Sequence, residues 1–254
     1  MTKPQPSGGR ERYRLPDTVR GIVMISMIAY HGFWDLIHVA GADWPWAGSP
    51  WVYVWQQSIG WTFILLSGFC WPMGRRHLRR GAEVFGAGLL VTAVTLAAVP
   101  ENRIVFGVLT LLGSCMLLMI PAEKALRHVP AWLGLPVFFL IFCFFRNLGE
   151  GTLGFGELAL IRVPEGCYRG LLTAYLGMPP AEFFSTDYYP LLPWLFLFVC
   201  GYFLHRLLIP TALWNRIKGI GLRPLGFLGR HSLLIYLVHQ PVLYGLTLVI
   251  RNLM

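Results

Sequence analysis

Seven apolar stretches, parted by short polar or basic segments, set the limits on what this chain can become. They lie near residues 20–40, 52–73, 82–99, 104–121, 130–145, 190–208 and 231–250. A helix needs roughly 20 apolar residues to cross a hydrocarbon layer of ~30 Å, and inside that layer the backbone must satisfy its own hydrogen bonds. The pattern therefore predicts an all-α fold: a polytopic integral membrane helical bundle of about seven transmembrane helices. Composition agrees, with 56% hydrophobic and only 13% charged residues and a mean hydropathy of +0.57. A soluble domain would carry about a quarter charged residues.

The net charge of +9 raises the question of nucleic acid, but the basic residues alternate with the apolar runs. That alternation is membrane topology, so no nucleic-acid partner is expected. With the N-terminus inside, the inner segments hold 16 Lys and Arg and the outer segments five: Arg103, Arg146, Arg162, Arg169 and Arg251. The expected orientation is an N-terminus in the cytoplasm, in a bacterial-type cytoplasmic (inner) membrane. Residues 1–19 form a basic cytoplasmic arm, and 20–254 a single transmembrane domain. The first apolar run follows a polar segment, is broken by His31 and Asp35, and lacks a small-residue cleavage site, so it is expected to stay as span 1. Trp44, Trp46 and Trp51 fit an interfacial belt. Residues 146–189 carry too many charges to span and are expected to be a long extracytoplasmic loop with short interfacial or re-entrant helices. The five cysteines are scattered, with no spacing suited to zinc, so no metal is expected.

Span 1 carries polar groups that a hydrocarbon layer penalises. Arg20, His31 and His38 fall on nearly one side of a helix, and His31 lies ~16 Å beyond Arg20 along its axis. Asp35, at i+4, is within reach of the His31 ring and would fix its tautomer, the arrangement of a general base. The plainer alternative is a structural His–Asp pair locking span 1 to a neighbour. His38 fits the outer belt. Span 7 adds a second cluster, with Ser232, Tyr236 and His239 on one face, Gln240 beside them and Pro241 following. These residues suit either substrate binding and support of His31 or ordinary bonding between helices. At the inner face, Arg20, Arg75, Arg76 and Arg230 are candidates for a phosphate-bearing ligand, because arginine forks match phosphate oxygens. Anchoring to the membrane explains most inner arginines equally well, but Arg20 and Arg230 each stand at the mouth of a span with a mid-membrane histidine.

The spacing of Arg20 and His31 resembles the signature of integral-membrane acyltransferases of the acyltransferase-three type. A wider ordered set is similar to the heparan-α-glucosaminide N-acetyltransferase catalytic-domain family. It comprises DTVRG (17–21), YHGFWDL (30–36), LSGF (66–69), IVFGVLTLLG (104–113), YYPLLPW (188–194) and LGRHSLLIYLVHQP (228–241). The resemblance implies transfer of an acyl group, acetyl first, from cytoplasmic acyl-CoA (acetyl-CoA) to a hydroxyl or amine of an acceptor on the outer side, a sugar or glycan. It implies His31 as the catalytic histidine, with Arg20 in its motif. The chain is shorter than the lysosomal-type enzyme, so the acceptor is not carried over. Expected partners are membrane lipid, acyl-CoA and the acceptor, and a homodimer stays an open arrangement. The rival function is a small transporter or flippase with an intramembrane His/Asp relay, which the absence of an internal repeat disfavours.

Overall fold

The computed structural model describes residues 13–253 and is mostly helical. Most of the arm expected over 1–19 lies outside the described residues; the part within them is already helical from Arg14. The long helices are α1 (Arg14–His38), α2 (Pro50–Cys70), α3 (His77–Ala98), α4 (Val108–Leu126) and α5 (Ala131–Phe144). Strands β1 (Thr152–Phe155) and β2 (Leu158–Arg162) follow, then the short α6 (Leu171–Leu176). The chain closes with α7 (Leu191–Leu208), α8 (Ala212–Ile217), α9 (Arg223–Arg230) and α10 (Ser232–Leu253).

Among the described residues, five helical segments are long and apolar enough to cross a membrane: α3, α4, Ala131–Glu150, α7 and α10. α1 and α2 have the length, 25 and 21 residues, or about 37 and 31 Å at 1.5 Å per residue. What they lack is unbroken apolarity, since α1 carries Asp17, Arg20 and Asp35, and α2 carries Gln56, Gln57, Ser58 and Thr62. One expectation needs correcting. The fold is not purely α, because β1 and β2 pair as an antiparallel hairpin within 146–189. Gly156 takes a positive φ of 57° at the tip, where a two-residue hairpin turn needs it.

α2, α4, α5 and α7 enclose the apolar core, with Ile64, Leu111, Met119, Phe142, Phe198 and Phe203 almost wholly buried. Lipid tails give apolar helices little reason to associate, so close backbone contact at small residues matters more. Gly68 lies against the Phe198 backbone where α2 crosses α7, and Gly21 against the Leu225 backbone where α1 crosses α9. α1 also packs along α10, on the flank of the core. Its start is tied down by the Arg14 and Leu15 amides, which donate to the Lys218 carbonyl at 3.0 and 3.3 Å.

Two connecting segments turn back into the bundle and pair. Tyr189 N–H donates to Phe106 O (2.9 Å), Thr186 N–H to Arg103 O (3.1 Å) and Val105 N–H to the Ser185 hydroxyl (2.9 Å). They bring Asp187 into a small space shared with Gly88 and Val91, which lie midway along α3.

Candidate active site

The packing of α1 on α10 brings His31 and His239 together, their rings edge to face with centroids 5.0 Å apart. Each is placed by its own helix: His31 ~16 Å beyond Arg20 on α1, and His239 ~10 Å beyond Ser232, the first residue of α10. His239 is buried, and its Nδ1 lies 2.6 Å from the Tyr236 carbonyl. A carbonyl only accepts, so Nδ1 carries the proton and Nε2 presents its lone pair. That Nε2 is buried and has no hydrogen-bond partner among the described residues. His31 makes no side-chain hydrogen bond among the described residues. It touches His239 on one side and Tyr30 (5.9 Å) on the other, and Tyr30 abuts Trp55 (5.3 Å). Trp55 is held in turn by its Nε1–H donating to the Ser26 hydroxyl at 2.8 Å. The arrangement offers two nitrogen bases to one buried spot.

Asp35 is wholly buried, but its partner is not the one its spacing on α1 suggests. The carboxylate accepts from Gln240 Nε2 at 3.1 and 3.2 Å, and no hydrogen bond joins it to His31. A buried carboxylate can only accept, and the Gln240 amide offers two hydrogens where a neutral imidazole offers one. Gln240 Oε1 is left buried without a partner among the described residues. Asp35 thus ties α1 to α10 one turn beyond His31. Ser232, on the same face as Tyr236 and His239, makes no side-chain hydrogen bond among the described residues. His38 packs against Trp34, their rings tilted with centroids 4.4 Å apart, at the exposed end of α1.

Asp187 joins the site from the charged loop before α7. Its Oδ2 accepts from the Tyr236 hydroxyl at 3.0 Å and from the amide of Val108, the first residue of α4, at 3.3 Å. The positive end of the α4 dipole therefore faces this carboxylate. Burial pushes the Asp187 carboxyl above its ordinary value, against the opposing pull of the Val108 amide and the Tyr236 hydroxyl. The one sequence signal was its place directly before YYPLLPW.

At the other end of α1, Arg20 Nη1 lies 3.8 Å from Asp17 Oδ1, and Arg20 and Arg80 both stand near Cys70. Arg230 borders a cleft with Arg14 and Arg223. Arg75 and Arg76 are exposed in the turn before α3, and no described contact brings them to Arg20 or Arg230. Among the described residues no cluster of three or more His, Cys, Asp or Glu could hold a metal ion.

A family model described as heparan-alpha-glucosaminide N-acetyltransferase, catalytic, matches residues 12–241 of the 254. No curated protein and no solved structure matches the chain.

Proposed function

From the premise that the chain belongs to the heparan-alpha-glucosaminide N-acetyltransferase catalytic family, we propose that it moves an acyl group, acetyl, across a bacterial-type cytoplasmic membrane. The donor is acyl-CoA on the cytoplasmic side, and the acceptor is a hydroxyl or amine of a sugar or glycan on the other. The facing pair of His31 and His239 carries this reading. A donor made inside and an acceptor presented outside must meet part-way, and the two imidazoles stand at matching depth along α1 and α10.

In the proposed reaction, His31 takes the proton of the acceptor as its lone pair attacks the thioester carbonyl. The carbon–sulfur bond breaks, and the thiolate leaves and is protonated. The His239 Nε2 lone pair lies beside His31 as a second place for that proton. The same pair would serve if His31 were itself acylated and then deacylated by the acceptor. Asp35 acts through Gln240 by fixing α10 against α1, and so His239 against His31. Arg20 sits at the inner mouth, where the donor enters. The excess of Lys and Arg on the segments assigned inside supports that orientation.

The test is acyl transfer from labelled acetyl-CoA to amino sugars and hexoses by the purified protein. His31→Ala is expected to lower the rate by about 10²-fold or more, the scale of a lost general base. Undiminished transfer by His31→Ala, or no transfer by the intact chain to any acceptor offered, would overturn the assignment.

A further inference from the structure

The geometry points to a phosphate-binding site in the cleft between the first turns of α1 and α9, built from Arg14, Thr18, Arg223 and Arg230. The cleft measures about 490 Å³. Arg14 enters it from α1, and Arg223 and Arg230 come from the two ends of α9. Exposed arginines at a membrane surface are ordinary anchors, so three of them alone would mean little. Two independent features set this place apart.

The first is the N-terminus of α9. This helix has eight residues, its cap Leu222 supplies no side-chain hydrogen bond, and Leu222 and Arg223 line the cleft. Pro224 has no N–H and the Leu225 backbone packs on Gly21, so the Arg223 amide is the first-turn donor on a residue that lines the cleft, at the positive end of the helix dipole. The second is Thr18, which is only 8% exposed and whose hydroxyl has no hydrogen-bond partner among the described residues. That hydroxyl faces Gly221 and Gly226, both of which line the cleft. A buried hydroxyl without a partner costs free energy unless a ligand supplies one.

These groups are donors: guanidinium forks, a helix amide and a hydroxyl. Donors converging from several sides suit a group with three or more acceptor oxygens, which a phosphate has and a carboxylate lacks. The lining contains one acid, Asp17, and its carboxylate lies 3.8 Å from Arg20. The positive balance therefore stands. Thr18 precedes His31 by thirteen residues, ~20 Å along α1. If the acyltransferase reading holds, a donor anchored here by phosphate would need a long extended arm to bring its carbonyl to His31. A phosphate could equally arrive on an anionic lipid.

Two probes separate these sources. The whole chain in detergent is titrated calorimetrically with adenosine 3′,5′-bisphosphate, and retention of added phosphatidylglycerol is counted by native mass spectrometry. One probe or both is expected to bind. The double variant Arg14→Gln/Arg223→Gln is expected to weaken that binding by about tenfold or more, and Thr18→Val several-fold. Lys124→Gln/Arg127→Gln, which removes the same charge at the end of α4, should leave it unchanged. Binding of the bisphosphate alone assigns a soluble ligand, and binding of the lipid alone a headgroup. Failure of both probes, wild-type binding by the cleft variant, or an equal loss in the control pair would overturn the site. Acyl transfer measured on the same samples keeps the two readings apart, because an intact chain that binds bisphosphate through Arg14 and Arg223 but transfers nothing would retain the site and lose the enzyme.

Discussion

At Asp35 a carboxylate is enclosed between α1 and α10, and Gln240 supplies both of its side-chain hydrogen bonds. Gln240→Leu would leave that carboxylate buried without a donor, at a cost of about 1–3 kcal/mol and more if it stays charged. Replacing both partners removes the orphaned group, so Asp35→Leu/Gln240→Leu is expected to recover most of the loss. Thermal unfolding in detergent distinguishes the cases, and a double variant no more stable than Gln240→Leu would refute the pairing. This pair also marks the limit of what residues reveal on their own. The distance of His31 from Arg20 along α1 follows from helix rise, and so was legible. The Asp35–Gln240 contact joins positions 205 apart in sequence, and no local periodicity links them. The i+4 neighbour looked like the partner because spacing within one helix is all a single sequence displays. Asp187 was hidden for a related reason, since backbone bonds to residues 102–106 decide whether its segment stays outside or turns inward.

The helices themselves were legible from apolar runs of sufficient length. The run at 52–73 became Pro50–Cys70, and that at 231–250 became Ser232–Leu253. Span 1 begins earlier than its apolar run because Pro16 and Asp17 fit a first helical turn, where a missing N–H and a negative charge are both tolerated. The hairpin was not legible, as its strands have four and five residues and no clean alternation. Helix pairing, too, depends on small residues whose partners the sequence does not name. Gly68 meets the Phe198 backbone directly, so Gly68→Ala is expected to force α2 from α7 and cost about 1–3 kcal/mol. Gly86, inside α3, has open space where a Cβ would stand, so Gly86→Ala should be neutral or stabilising by about 0.4–1 kcal/mol. Equal unfolding temperatures for the two variants would remove close backbone approach as the cause of the α2–α7 contact.

For the molecule as a whole, the proposed function depends on direction. The arginine cleft and the β1–β2 hairpin lie toward opposite ends of the bundle, because α1 and α10 both run from the cleft towards their C-terminal ends while Arg146, just before the hairpin, contacts the start of α2. If the positive-inside rule governs insertion, the cleft opens to the cytoplasm, where an acyl-CoA is made, and the hairpin faces away from it. Cysteines placed at the two ends decide the matter. Glu157→Cys, at the hairpin tip, is expected to react with a membrane-impermeant maleimide in intact cells above the background of the unsubstituted chain. Arg216→Cys, in α8 beside the cleft, is expected to react only after permeabilisation. The reverse pattern would turn the bundle over and place the arginine cleft outside. It would then separate the donor from its arginines, and a transferase carrying cytoplasmic acyl groups outward could no longer work through His31 in the direction proposed.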